Sequence, residues 1–370
     1  MSKKIILLVS SMGSGGAERV AATLANAWAV SGNQVTLMPT FSGRGECFYV
    51  VSPEVRLIYL ADLVSSRSKT WVNQFSRLFA LRRFMAAEQP DVVVSFLTNV
   101  NVAAVIASLG LGIPVIICER NDPFIIPTSC WLRFACRFTY PFADVLMVQT
   151  QAVAIKYTTS GWPLKRLWVI PNPVSDQMLH THRRLSVSTT KQLLSIGRLA
   201  EQKQFDVLIQ VFANLVQRYT NWSLRIVGEG HLRTTLQQQI TDLDLDAYVE
   251  LAGLSKMIGE ELAKADIFAL TSKYEGFPNA LLEAMTVGLP CVCFDCPSGP
   301  REITMDGQVA LLVPLNDEQA LELALERLML DADLRQSLGS QARASVIERF
   351  SLAKILEQWD LLFQELGIQR

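Results

Sequence analysis

Short, almost uninterrupted apolar runs alternate with helix-length patterns along most of this chain. The first half carries "IILLVSS" (5–11), "QVTLMPT" (34–40), "DVVVSFL" (91–97), "PVIICER" (114–120) and "DVLMVQT" (144–150). Runs apolar on both sides of the alternation, with helices between them, indicate parallel strands covered on both faces. Helices are predicted near 17–30, 70–88, 100–109 and 151–159. "VIPNPV" (169–174), with two prolines in five residues, breaks the pattern and reads as a linker. The alternation then restarts with "QLLSIGR" (192–198), "WSLRIVG" (222–228), "YVELAG" (248–253), "DIFALTS" (266–272), "PCVCFD" (290–295) and "VALLVP" (309–314). Two consecutive doubly wound α/β domains follow, divided as residues 1–171 and 172–350. Ligands of such sheets bind beyond the carboxyl ends of the strands, so a cleft between the two domains is the expected site.

A length of 370 residues, half of them hydrophobic, is ample for two cores. The net charge of −1 hides an asymmetry. Through Pro171 there are 16 Lys and Arg against 9 Asp and Glu, and the remainder holds 18 against 26. A basic and an acidic half suggest different partners. The seven cysteines show no C-x-x-C, and no His lies near Cys291, Cys293 and Cys296, so buried thiols are expected rather than zinc. Lys3 and Lys4 precede only a short apolar run, and no stretch reaches transmembrane length, so neither a signal peptide nor a membrane span is expected. No aromatic-basic platform or known nucleic-acid module is present, which argues against nucleic acid.

The chemistry gathers at strand ends. "GSGGAERV" (13–20) follows the first strand and opens a helix, where small residues and helix amides suit an anion. It lacks a well-formed G-x-G-x-x-G, so a dinucleotide fingerprint is weak. "SIGRLAEQKQF" (195–205) places Arg198 and Lys203 around a turn before a helix, a setting for a diphosphate. "YEGFPNALLEA" (274–284) places Glu275 and Glu283 around another helix start. Gly276 permits a tight turn there, Pro278 suits a first helical turn, and the amides near Asn279, Ala280 and Leu281 are free to bind phosphate oxygens. The two acids sit on either side of that anion site and can accept hydroxyl hydrogen bonds, one from a sugar and one from a ribose.

Glu-x7-Glu in "EGFPNALLE", with "GRL…QK" upstream and "GGAERV" near the start, resembles the family 4 retaining glycosyltransferases of the GT-B fold over essentially the whole chain. "ERND" (119–122) and "DCPSGPREI" (295–303) resemble the branch acting on polyprenyl-diphosphate-linked oligosaccharides, which includes bacterial N-acetylgalactosaminyltransferases. The resemblance implies two Rossmann-like domains facing a central cleft, an acceptor-binding first domain and a nucleotide-sugar-binding second one. It also implies that the last helix, residues 351–370, returns to the first domain. The stripe Leu352, Ile355, Leu356, Trp359, Leu362 and Phe363 gives that helix a face to dock.

Carried onto these residues, the resemblance implies that Arg198 and Lys203 stabilise the leaving diphosphate. Glu275 then holds a donor-sugar hydroxyl and Glu283 the ribose. Gly15 and Gly16 face the diphosphate from the other domain, and Gly276, Phe277, Asn279, Ala280 and Leu281 line the donor. Many members carry a His where this chain has Arg120, which is placed with the donor sugar or leaving phosphate. Front-face transfer with retention follows, driven by electrostatic stabilisation of the diphosphate. No metal or other cofactor is expected: no Asp-x-Asp stands at a strand end, and "DLDLD" (242–246) reads as a polar helix end.

The expected donor is a UDP-sugar, with N-acetylgalactosamine the favoured sugar, and the acceptor a lipid-linked oligosaccharide. Two other readings differ in class: a nucleotide-sugar 2-epimerase on the same scaffold, and a non-catalytic glycosyltransferase-like subunit. The three His, two of them just after the linker, weaken the first, and retention of Glu275 and Lys203 weakens the second. Trp71, Phe75, Leu78 and Phe79 recur at helical spacing and read first as a sheet cover. Arg77, Arg82 and Arg83 on the same segment suit an anionic membrane surface, giving a cytoplasmic protein peripheral on the inner face of the membrane.

Overall fold

The computed structural model describes residues 2–41, 47–64, 71–125, 129–183 and 190–368, leaving aside the side chains of 71–74. The chain divides into two compact units, residues 1–173 with 355–370, and residues 174–354. The proline-containing break therefore carries the chain from the first unit to the second.

The first unit holds strands β1 (Lys4–Val9), β2 (Gln34–Pro39), β3 (Arg56–Leu57), β4 (Val92–Phe96), β5 (Val115–Cys118), β6 (Val145–Val148) and β7 (Leu167–Val169). Its helices are α1 (Gly16–Val30), α2 (Trp71–Glu88), α3 (Thr98–Ser108), α4 (Cys130–Thr139) and α5 (Gln151–Thr159). The strands lie in the order β3-β2-β1-β4-β5-β6-β7, every pair parallel. The order reverses between β1 and β4, where Ile5 registers with Val92 and Leu7 with Val94.

The second unit comprises α6 (Asp176–Leu179), β8 (Lys191–Ile196), α7 (Phe205–Val216), β9 (Trp222–Val227), α8 (Arg233–Asp242), β10 (Val249–Gly253) and α9 (Ile258–Lys264). It continues through β11 (Ile267–Leu270), α10 (Asn279–Val287), β12 (Cys291–Phe294), α11 (Pro300–Ile303), β13 (Leu311–Val313), α12 (Glu318–Leu330) and α13 (Ala332–Phe350). Its parallel sheet runs β10-β9-β8-β11-β12-β13, reversing between β8 and β11, where Leu193 pairs with Ile267. Both units are thus the Rossmann-like, doubly wound sheets of the GT-B fold class.

Burial explains why these runs become strands. Ile6 and Leu8 of β1 pack with α2 to α5, while Ile5, Leu7 and Val9 pack on the other face with α1 and the end of the chain. That end is α14 (Leu352–Glu365). Ile355, Trp359, Leu362 and Phe363 are buried in the first unit's core. The Trp359 ring meets Trp28 edge-on, centroids 5.3 Å apart, and Phe363 lies 5.8 Å from the same ring. Lys3, itself buried, pairs with Asp360 at 3.2 Å. The last helix completes the core of the unit that begins the chain.

Helix α2 differs from its sequence reading. Its inner face is Leu78, Leu81 and Met85, whereas Phe75 and Phe79 point outward, 71% and 70% exposed. The expected stripe is therefore split across two faces, and the Trp71 side chain lies outside the described residues. Arg77 donates to the carbonyls of Thr40 and Phe41, and Arg82 to those of Ala107 and Leu109. Two of the three arginines expected to meet lipid phosphates donate to backbone carbonyls; Arg83 is exposed. Among the described residues, no helix is long and apolar enough to cross a membrane.

Candidate functional site

In the second unit, three loops leave the carboxyl ends of β8, β11 and β12, side by side at the reversal of strand order. The first two are bonded along their length. The Lys273 amide donates to Gln202 O at 2.8 Å, Gln202 Nε2 to Tyr274 O at 2.8 Å, and Thr271 Oγ1 to Lys203 O at 2.8 Å. This lacing brings together residues 72 apart in sequence: Lys203 Nζ meets Glu275 Oε1 at 2.5 Å. Ser272 Oγ donates to the same oxygen at 2.6 Å. Both of these donors converge on Oε1. Both side chains of the pair are largely buried, so each offsets the other's desolvation. Arg198 follows β8 and is exposed.

The third loop fixes the turn before α10. The Glu275 amide donates to Pro297 O at 3.2 Å. Gly299, at φ +105°, leaves no room for a side chain, since a Cβ there would stand 2.4 Å from Pro278 Cδ. Pro278 is the N-cap of α10 rather than a residue of its first turn. The Asn279 amide turns back onto Phe277 O at 2.9 Å, so it is not one of the free amides the sequence suggested. Those of Ala280 and Leu281 meet no acceptor among the described residues, as expected of the first amides of a helix. They and the helix dipole favour an anion here. Gly276 is buried. The Phe277 ring is turned into the core, edge-on to Phe350 at 5.9 Å, and so offers a ligand only its backbone. Glu283 lies one turn deeper in α10 and is buried.

Sequence reasoning missed Gln202, Ser272 and Gly299. Only the "SG" of "DCPSGPREI", which fits a tight turn, was a visible signal.

The first unit arranges its corresponding strand ends otherwise. Gly15 is the N-cap of α1 and Gly16 its first residue. A Cβ on Gly15 would lie 2.3 Å from Glu18 Oε2, and Glu18 Oε1 accepts from Ser11 Oγ at 2.9 Å. The chain's own carboxylate therefore stands at this helix's positive end, beside Gly15 and Gly16. Beyond β5, Glu119 is buried and accepts from Thr98 Oγ1 at 2.8 Å and from the Tyr140 hydroxyl. Burial pushes its carboxyl above the usual range. Arg120 is 6% exposed, stacks 3.4 Å over the Phe96 ring and donates from Nη1 to Asn172 Oδ1 at 2.7 Å. Its Nε and Nη2 meet no hydrogen-bond acceptor among the described residues, and desolvation lowers the guanidinium to about 10. A buried cation with two unmet donors is an anion or carbonyl receptor in waiting.

Cys291, Cys293 and Cys296 are buried free thiols, pushed upward by burial. No group of three or more metal-ligating side chains occurs among the described residues.

Comparison with known proteins bears on the family and the fold. Residues 15–173 match the glycosyl transferase 4-like domain, and residues 180–345 match the glycosyl transferases group 1 model. A Campylobacter jejuni relative is 29% identical over 366 residues, covering 98% of each chain. It is named GalNAc-α-(1→4)-GalNAc-α-(1→3)-diNAcBac-PP-undecaprenol α-1,4-N-acetyl-D-galactosaminyltransferase. The amylovoran biosynthesis glycosyltransferase AmsD of Erwinia amylovora is 28% identical over 97% of this chain and 99% of its own. Among solved structures, Anabaena Alr3699/HepE in complex with UDP and glucose superposes with a TM-score of 0.83, covering 98% of this chain and 99% of that one at 20% identity. With the two models together spanning both units, the chain belongs to the family 4 glycosyltransferases of the GT-B fold.

Proposed function

We propose that this glycosyltransferase moves an N-acetylhexosamine or hexose, N-acetylgalactosamine foremost, from a UDP-sugar to a polyprenyl-diphosphate-linked oligosaccharide, with retention and without a metal. The site is on the second unit, and the observation that carries it is the Lys203–Glu275 pair beside the α10 amides. Lys203, Arg198 and the amides of Ala280 and Leu281 supply positive potential for a diphosphate. Glu275, steadied by Lys203 and Ser272 through Oε1, offers Oε2 to a sugar hydroxyl. Glu283, deeper in α10, takes the ribose.

As the glycosidic bond to phosphate lengthens, charge gathers on the diphosphate, and preorganised cations and amides stabilise it without rearranging. The departing phosphate oxygen accepts the acceptor hydroxyl's proton on the same face, which gives retention. Arg120, with Nε and Nη2 unmet, is assigned to the donor sugar or the leaving phosphate. The acceptor class is supported by relatives named for undecaprenol-linked substrates. With that acceptor, the proposed location is the cytoplasmic face of the membrane, where donor and lipid meet.

The test is a panel of UDP-sugars with a lipid-linked acceptor, in buffer containing EDTA, with the product's anomeric configuration read by NMR. Transfer of one sugar as the α-anomer from an α-linked donor, undiminished by EDTA, is expected. A β-linked product, or transfer that EDTA abolishes, contradicts retention or metal independence respectively.

A further inference from the structure

Helix α4 has two apolar faces. Leu132 packs into the first unit's core, and Cys136 is buried there with Tyr140 just beyond the helix. On the other side Trp131, Phe134 and Phe138 share one stripe at helical spacing, 82%, 58% and 58% exposed. The Phe134 and Phe138 rings lie against each other, centroids 4.3 Å apart. Phe142, in the turn that follows, is 58% exposed as well. Arg133 and Arg137, exposed and one turn apart, line one edge of the stripe. Between Asp122 and Asp144 the sequence has these two cations and no acid. A run of outward aromatics exceeds what scattered surface hydrophobics account for and marks a contact surface.

We propose that α4 is the element on which the protein lies against an anionic bilayer. Trp131, Phe134, Phe138 and Phe142 enter the boundary between headgroups and acyl chains, and Arg133 and Arg137 meet lipid phosphates. The inference deepens the lipid-linked acceptor reading and rests on it. Charge decides the occupant. A second copy meeting this face symmetrically would set arginines against arginines, whereas an anionic surface complements both the flanking cations and the basic first half of the sequence. It also moves the contact away from α2, whose Arg77 and Arg82 are held by backbone carbonyls. Helix α4 is tied to the loop after β5 through the hydrogen bond from Tyr140 to Glu119, and Arg120 follows in that loop. A docked α4 therefore holds the lipid surface one connection from that buried cation.

The test is sedimentation of the full chain with phosphatidylcholine vesicles, with and without phosphatidylglycerol. Trp131→Ser/Phe134→Ser/Phe138→Ser should weaken binding to the anionic vesicles by about tenfold or more. Arg133→Glu/Arg137→Glu should remove the preference for phosphatidylglycerol, while Phe75→Ser/Phe79→Ser on α2 should leave binding unchanged. All three variants should transfer sugar to a short soluble acceptor analogue at the wild-type rate, which shows the fold intact. Undiminished vesicle binding by the α4 variants overturns the proposal. So does a wild-type dimer that the aromatic variant converts to a monomer without losing vesicle binding. If wild-type protein binds anionic vesicles through α4 yet transfers to no lipid-linked acceptor, the acceptor reading fails and the membrane contact stands.

Discussion

At the β8–β11 reversal of the second unit, a lysine and a glutamate meet across two laced loops beside a helix whose first amides are open. At the β1–β4 reversal of the first unit, the equivalent helix start already holds Glu18, bonded back to Ser11. The cation there comes from a neighbouring strand: Arg120, beyond β5, stacked on Phe96 from the end of β4. The same doubly wound frame thus carries different charged side chains at its two switch points. Topology sets where a ligand can sit, and a few side chains after each strand set which charge is welcome.

The comparison breaks first at Lys203 and Arg198. Replacing either with alanine should lower turnover about 10²–10³-fold, the scale for losing one preorganised stabilising group, measured as kcat with saturating donor. Wild-type turnover in both single variants would remove the diphosphate from the second unit.

Arg120→Lys sharpens the other half. It keeps the charge but loses the planar stack on Phe96 and the fixed fork of donors, and should lower kcat/KM by about tenfold. Unchanged kcat/KM would mean that Nε and Nη2 meet nothing during the reaction.

How much of this was legible in the sequence follows from what each signal depends on. Eleven of the strands announced themselves through mostly apolar runs, because helices cover both faces of each sheet. Strand β3, Arg56–Leu57, is too short to show a pattern, and β7, Leu167–Val169, is a half-buried edge running into the proline break. Helix α4 was missed although Arg133 and Arg137, one turn apart, give it a sharply one-sided pattern; Leu132 and Cys136 face the core, while Trp131, Phe134 and Phe138 point outward. Lys203 and Glu275 were each singled out by their local turns. Their contact was not legible, because it depends on β8 and β11 being neighbours across 72 residues of sequence. Nor could spacing tell that Arg77 and Arg82 serve backbone carbonyls rather than solvent, since that is decided by where a distant backbone passes.

The most direct measurement on the central claim is a calorimetric titration of Glu275→Gln with UDP, paired with its transfer rate. Glutamine keeps the shape and loses the charge. If Lys203 is the diphosphate's cation and Glu275 holds the sugar, the variant removes a negative charge beside the anion and frees the lysine. UDP should then bind as tightly as to wild type or more tightly, while kcat falls about 10²-fold or more. A variant that loses UDP affinity about tenfold and keeps its turnover would contradict the division of roles and the site built on it.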